Sequence, residues 1–247
     1  ILKKRIQSAG QVGMGGTAFR PNVKLSHPLE NTLDPLIVKG AKCDPYLTAD
    51  HRLMVEHPER VLEGAAIAAK ILKVVRVFVG VEENKPDAIA ALEAKVRELN
   101  YKIRIVPLRV RYPQGGEKQL IYAITRRMIA TGGLPMDVGC VVQNVGTCAA
   151  IRDAVVEGHP LIERYATVTG TPVADPGTWL FRIGTPVSKA LELAGGGKQK
   201  KAEGILGGPR MGLAQRSLEA TATKNTSGML LMSRAETSGH LSSACIR

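Results

Sequence analysis

Short apolar segments alternate with amphipathic segments of helical period through the first 160 residues of the chain. The segments that read as strands are 36–39, 74–81, 102–108 and 138–142. The segments of helical character are 51–72, which Pro58 divides into a short helix and a longer one, 86–99, which has Pro86 in its first turn, 117–128 and 147–157. Strands that alternate with helices form βαβ units and a largely parallel sheet. The pattern therefore predicts an α/β fold whose ligand lies in the loops after the strands, at 39–50, 109–116 and 143–147.

The pattern changes after residue 160. Short strands at 166–170 and 179–183 are followed by a short helix at 186–193 and a returning strand at 204–209. Two strands, a helix and further strands favour a small β-grasp-like module. From about residue 210 onward Gly, Ser, Thr and Ala predominate without a strong period, which indicates loops.

These observations divide the 247 residues into three parts. We expect an α/β domain over 1–160, a β-grasp domain over 161–212 and a loop-rich tail over 213–247. The chain is long enough for one large or two small domains with their own cores. It does not begin with methionine, from which we expect that it starts inside a longer protein.

Composition limits the kinds of molecule that we expect the chain to bind. The net charge is +12, but the lysines and arginines are scattered and are not interleaved with aromatic residues, so we expect no nucleic acid. No apolar run reaches the roughly 20 residues of a membrane-spanning helix. The four cysteines form no Cys-x-x-Cys pair, which indicates reduced thiols.

A glycine-rich loop precedes the first strand. It contains Gly13, Gly15 and Gly16, followed by Phe19 and Lys24. Glycines let backbone N–H groups converge on an anion, and a lysine supplies a point charge for a phosphate. The loop is neither Gly-x-Gly-x-x-Gly nor a Walker A loop. The residues alone leave two interpretations open, a structural turn and a cradle for a phosphate or flavin.

Six segments in consistent order carry a resemblance to a known family. They are the segments 13–24, 43–52, 82–86, 112–120 and 143–147, with 168–170 and 184–187 together as the sixth. Together they resemble the C-subunit family (RnfC) of the Rnf electron-transport complexes, which are ion-translocating ferredoxin:NAD⁺ oxidoreductases. They are similar, more distantly, to the flavin-bearing NADH-oxidising subunit of respiratory complex I. The resemblance implies a Rossmann-like FMN and NADH domain followed by a soluble-ligand-binding β-grasp (SLBB-like) domain.

The resemblance also implies residue roles toward FMN. Gly13, Gly15 and Gly16 would let backbone pack against the ring and phosphate, and Lys24 would neutralise the phosphate. Two further residues, Asn144 and Thr147, would hydrogen-bond the FMN phosphate or ribityl chain.

A second group of roles concerns NADH. Phe19 would stack on the nicotinamide or adenine, and Glu117 would bind polar groups of NADH. Gly115 and Gly116 would allow a close approach, and Asp44 would stand near the nicotinamide ribose. Hydride transfer needs no acid or base from the protein, so no catalytic side chain is expected.

For the whole protein, the resemblance implies two [4Fe–4S] clusters beyond residue 247. Cys245 would be the first ligand of the first cluster. We expect a peripheral subunit on the cytoplasmic side of the cell membrane, whose partners are other subunits of the complex, NADH and, indirectly, ferredoxin.

The sequence departs from the family pattern at several positions. Lys39 stands where the family has Asn, Lys42 where it has Glu, and Asp44 where it has Glu; Arg20 follows Phe19 where the family has Pro. A cation at Lys39 would either disfavour flavin or raise its potential by stabilising the reduced ring. Two alternatives therefore stay open beside the RnfC interpretation: a flavoprotein related to cobalamin reductases, and a scaffold subunit that has lost flavin.

Overall fold

The structure, a computed structural model, describes residues 1–26, 33–197 and 202–237. Its helices are α1 (Leu2–Ser8), α2 (Pro21–Lys24), α3 (Ala49–Glu56), α4 (Pro58–Leu72), α5 (Pro86–Glu98), α6 (Glu117–Thr125), α7 (Val145–Arg152), α8 (Val187–Leu193) and α9 (Arg234–Thr237). Its strands are β1 (Leu36–Lys39), β2 (Val77–Glu82), β3 (Ile103–Leu108), β4 (Val141–Asn144), β5 (Glu163–Thr169), β6 (Gly177–Arg182), β7 (Ala202–Leu206), β8 (Leu213–Gln215) and β9 (Gly228–Ser233). A 3₁₀ turn covers Pro135–Val138, and a π-helical turn, Asp153–Glu157, continues α7.

The first sheet is parallel and has the strand order β3-β2-β1-β4. Helices cover both of its faces: α4, α5 and α7 contribute to one apolar core, and α6 contributes to another. The two central strands are nearly all apolar because both of their faces are covered. This arrangement confirms the predicted α/β, Rossmann-like class.

The second sheet is mixed and has the order β6-β5-β9-β7-β8. Strands β5 and β9 are parallel, and the other neighbours are antiparallel. Helix α8 packs its buried Val187 and Ala190 against Val168, Phe181 and Met229 of the sheet. A mixed sheet with one packed helix confirms the prediction of a second, β-grasp module.

The structure differs from the sequence interpretation at some elements. Residues 228–233, predicted to be loop, form β9, which lies at the centre of the second sheet. The apolar run Met229–Met232 is short and lies among polar residues, so periodicity alone did not distinguish it. In addition, β4 begins at Val141 rather than at 138, because the 3₁₀ turn occupies the preceding residues. The domain boundaries remain predictions.

This topology directs several loops to one place. Lys39 and Asn144 end β1 and β4 and are register partners, so the loops after both strands begin side by side. A loop of the second sheet reaches the same region, where the guanidinium carbon of Arg210 lies 3.8 Å from the centre of the Tyr112 ring. Within the described ranges, no helix is long and apolar enough to cross a membrane.

Candidate functional site

The residues predicted for FMN and NADH come together around one cavity of about 270 Å³ at the carboxyl ends of β1 and β4. They are Gly13, Gly15, Gly16, Phe19, Lys24, Asp44, Gly115, Gly116, Glu117, Asn144 and Thr147. We call this space the flavin cavity. The remaining predicted residue, Cys245, lies outside the described residues. The cofactor atoms that each side chain would contact stay predictions.

The glycine-rich loop forms one wall of the flavin cavity. A Cβ on Gly13 would lie 2.6 Å from the carbonyl oxygen of Phe19, so the loop closes only with glycine there. Gly16 has a φ of +115°, which side chains rarely adopt. The backbone N–H of Met14 donates to Thr147 Oγ1 over 2.9 Å and holds the loop against the first turn of α7.

Asn144 has a structural task besides lining the cavity. Its Oδ1 accepts from the N–H groups of Gly146 and Thr147 and so caps α7. Its Nδ2 donates to Asp50 over 2.9 Å. Only one of its amide N–H groups is left for a ligand, so its contribution to a cofactor site is mainly to fix the start of α7.

Lys24 and Glu117, assigned to different ligands by the resemblance, form an ion pair across the cavity. Lys24 Nζ lies 2.6 Å from Glu117 Oε1 and also donates to the Val142 carbonyl over 3.1 Å. The same ammonium lies 5.8 Å from the centre of the half-exposed Phe19 ring. A phosphate that binds Lys24 must therefore compete with Glu117.

The two lysines that depart from the family differ in their surroundings. Lys42 Nζ lies 3.2 Å from Asp50 Oδ2, and both side chains are largely buried. Burial would raise the pKa of Asp50, but the charge of Lys42 and the Asn144 hydrogen bond outweigh it and lower that pKa. Lys39 has no hydrogen bond or ion pair in the described part of the chain. Burial, assisted by the charge of Lys42, lowers the pKa of Lys39.

An unsatisfied polar group also lines the flavin cavity. Gln143, which ends β4 with Asn144, is 3% exposed, and its Nε2 has no partner among the described residues. Buried amide groups are normally hydrogen-bonded, so a donor of this kind indicates a missing ligand or water. With the close approach that the glycine backbone allows, Gln143 makes the cavity a fit for a polar, planar cofactor.

The end of β7 and the loops after β7 and before β9 complete the cavity with residues that the sequence interpretation missed. These residues are Leu206, Gly207, Gly208, Met211, Asn225 and Ser227. Asp44 Oδ1 accepts from the Arg210 N–H over 3.1 Å, across 166 residues of sequence. No local pattern in the sequence signals a contact over that separation.

A more apolar cavity of about 530 Å³ lies next to the flavin cavity. The two share Phe19, Lys24 and Glu117, and Val23, Met136 and Cys140 line the apolar part. The shared residues include Phe19 and Glu117, which were predicted for NADH, whereas Asp44, Gly115 and Gly116 line the flavin cavity but not the apolar one. The arrangement offers adjacent spaces for two ligands, with the Lys24–Glu117 pair between them.

The described cysteines are free thiols; Cys43 is half-buried and lines the flavin cavity. Cys140 and Cys148 are buried, and burial raises the pKa of Cys148 to about 12. Among the residues that the structure describes, no three His, Cys, Asp or Glu side chains are grouped to hold a metal ion.

Comparison with known proteins shows the same two modules. The Nuo51 FMN-binding domain family matches residues 6–153, and the SLBB domain family matches residues 165–214. The chain is 46% identical over 242 residues to the C subunit of the proton-translocating ferredoxin:NAD(+) oxidoreductase complex of Clostridium ljungdahlii, covering 98% of this chain and 52% of the relative. It is 41% identical to the Na(+)-translocating counterpart of Acetobacterium woodii, covering 99% and 55%.

The likeness extends to solved structures. A chain of an NAD⁺-reducing [NiFe]-hydrogenase in its H₂-reduced state superposes with a TM-score of 0.77 at 20% identity, covering 93% of this chain and 46% of that one. This match shows the fold alone. The chain spans about half the length of the curated relatives it matches. The chain belongs to the Nuo51 FMN-binding domain family and is a homologue of the C subunits of ion-translocating Rnf-type oxidoreductase complexes.

Proposed function

We propose that the chain is the FMN- and NAD(H)-reactive module of an Rnf-type C subunit. The observation that carries the proposal is the flavin cavity, which gathers the eleven residues that the resemblance implied around a buried amide, Gln143 Nε2, with no partner among the described residues. The cavity sits where α/β sheets hold cofactors, at the carboxyl ends of parallel strands.

The residues of the chain would position FMN rather than react with it. The backbone at Gly13, Gly15 and Gly16 can approach a flat ring, and Gln143 Nε2 supplies a buried donor. Once Glu117 is displaced, the ammonium group of Lys24 can pair with the FMN phosphate. Bound FMN would supply the chemistry, accepting or giving a hydride at NAD(H) and passing single electrons to iron–sulfur clusters.

The neighbouring apolar cavity is the proposed NAD(H) site. Phe19 is 48% exposed and borders both cavities, so its ring can lie against a nicotinamide or adenine. Glu117 opens α6 after Gly116 and can turn to ribose hydroxyls when Lys24 is occupied. Asp44 and the glycines 115–116 line the flavin cavity beside it.

The wider role concerns the whole protein. We propose that two [4Fe–4S] clusters lie beyond residue 247 and that Cys245 is a ligand of the first. The module would then serve as a peripheral part of a membrane complex on the cytoplasmic side, with the other subunits as partners and ferredoxin as an indirect one. The names of the relatives at 46% and 41% identity support this role.

The test is flavin content. The purified chain, incubated with excess FMN and freed of unbound cofactor, should release stoichiometric FMN on denaturation. Absence of FMN from folded protein would favour the scaffold alternative. That alternative is motivated by Lys39, which lines the cavity and has no hydrogen bond or ion pair with the described residues.

A further inference from the structure

A third cavity lies between the two sheets and shares no lining residue with the flavin cavity. It has a volume of about 330 Å³. Residues of α3, α4 and α7 form one wall, and residues of β5 and β6 form the other. Ligand sites occur preferentially where two modules meet in this way. We call it the interface cavity.

Arg164 on β5 lines the interface cavity and carries an uncompensated charge. It is 4% exposed, and its guanidinium donates only to backbone carbonyls, those of Tyr165 at 3.4 Å and Lys224 at 2.5 Å. No carboxylate of the described residues pairs with it. Burial lowers the pKa of Arg164 to about 10, so it remains charged at neutral pH. A buried charge without a partner is unfavourable unless a ligand supplies the counter-charge.

The other charges around the cavity are already paired. The pairs are Arg60 with Asp153, Arg152 with Glu157, and Lys42 with Asp50. The charge of Asp50 raises the pKa of Arg164, but the Asp50 carboxylate already bonds to Lys42 and Asn144. Glu163 is exposed at the rim, and His159 contacts Glu157. Arg164 is therefore the guanidinium of the lining that pairs with no carboxylate of the described residues, whereas Arg60 and Arg152 are already paired.

Gln11 supplies a second and independent indication of a ligand. It is 5% exposed and lines the same cavity, and its Oε1 has no donor among the described residues. A ligand that satisfies both side chains must offer anionic oxygens to Arg164 and a hydroxyl to Gln11. Hydrogen phosphate has both groups, whereas sulfate at neutral pH has no hydroxyl.

We propose that the interface cavity binds a phosphate-type oxyanion, with Arg164 as its cationic partner and Gln11 as the acceptor of its hydroxyl group. The source is either inorganic phosphate or the phosphate of a small organic monoester. The site is independent of FMN, because its residues and those of the flavin cavity are separate sets.

The experiment is calorimetric titration of the FMN-loaded chain, freed of unbound FMN, with inorganic phosphate near neutral pH, with ionic strength held constant with chloride. We expect saturable binding that weakens by about tenfold or more in Arg164→Gln, because a charge-assisted bond is lost. Arg164→Lys should retain part of the affinity. Gln11→Leu should remove the preference for phosphate over sulfate.

Lys24→Met is the matched control, because it removes a cation from the flavin cavity and should leave phosphate binding unchanged. If Arg164→Gln does not fold, the unsubstituted chain provides the test. Its melting temperature should rise more with phosphate than with sulfate. Titration with glycerol 3-phosphate separates the sources, since tighter binding than that of inorganic phosphate identifies an organic monoester. No saturable phosphate binding by the folded parent, or its loss in Lys24→Met alone, would overturn the proposal.

Discussion

At the scale of single residues, the Lys24–Glu117 pair links the two proposed ligands. Lys24→Ala removes one charge-assisted contact to the FMN phosphate, worth about 1.5–3 kcal/mol, so FMN affinity should fall about ten- to a hundredfold. Glu117→Gln removes the competing carboxylate, which lies 2.6 Å away, and should not weaken FMN. Fluorescence titration of each variant with FMN measures both effects. Equal weakening in the two variants would show that the ion pair itself, rather than Lys24, supports the cofactor.

Lys39 and Lys42 should affect stability in opposite directions. Burial lowers the folded-state pKa of Lys39, so the unfolded chain binds more protons between that pKa and the ordinary value of 10.5. By linkage, the charged Lys39 destabilises the fold at neutral pH, and the penalty fades as pH rises toward that ordinary value. Lys42, in contrast, holds the buried carboxylate of Asp50.

Urea unfolding of the apoprotein tests this difference. Lys39→Met should have a higher midpoint than the parent at neutral pH, and the gap should narrow in alkaline buffer. Lys42→Met, the matched control, should have a lower midpoint because it leaves Asp50 without its cation. A Lys39→Met variant that is less stable than the parent at every pH would show that the lysine is compensated in the fold.

At the scale of elements, the site depends on where α7 begins. Asn144 caps that helix and holds Asp50, while Thr147 in its first turn holds the glycine-rich loop through Met14. Asn144→Ala should lower the unfolding free energy by about 0.5–2 kcal/mol through the lost cap. Asn144→Ser retains a capping oxygen and should recover part of the loss. Equal destabilisation by both substitutions would assign the effect to the Asp50 hydrogen bond instead.

The same scale shows how much of the fold can be predicted from the sequence. Strand β1 and helices α4 and α5 were predicted closely, because apolar runs and first-turn prolines at Pro58 and Pro86 are local signals. Strand β9 was not predicted, because its six residues acquire their burial only by insertion between β5 and β7.

The candidate site also has one part that could be predicted from the sequence and one that could not. The loops after β1 and β4 were predicted as ligand-bearing because they follow recognisable strands, and the roles of single residues on them were implied by the resemblance. Three features were not predicted: the pairing of Lys24 with Glu117, the Gln143 amide that has no partner among the described residues, and the cavity wall from the second module. Each of them depends on packing between distant segments. The contact of Asp44 with Arg210 joins the two modules in this manner.

At the scale of the whole molecule, the two modules enclose two cavities with different characters. The flavin cavity opens beside an apolar space, and the interface cavity lies around Arg164. One family module supplies the parallel sheet, and the SLBB module supplies the remaining walls. The two modules together correspond to about half the length of the curated relatives.

If the flavin cavity holds FMN in reach of NAD(H), NADH should reduce the bound flavin in an anaerobic titration of the FMN-loaded chain. We predict that the flavin absorbance bleaches with about one NADH per FMN, because each hydride carries two electrons. Phe19→Ala should require more NADH for half-maximal bleaching while retaining its flavin. The contrary result is a flavin absorbance that excess NADH leaves unchanged although dithionite bleaches it. It would show that the bound FMN does not react with NADH.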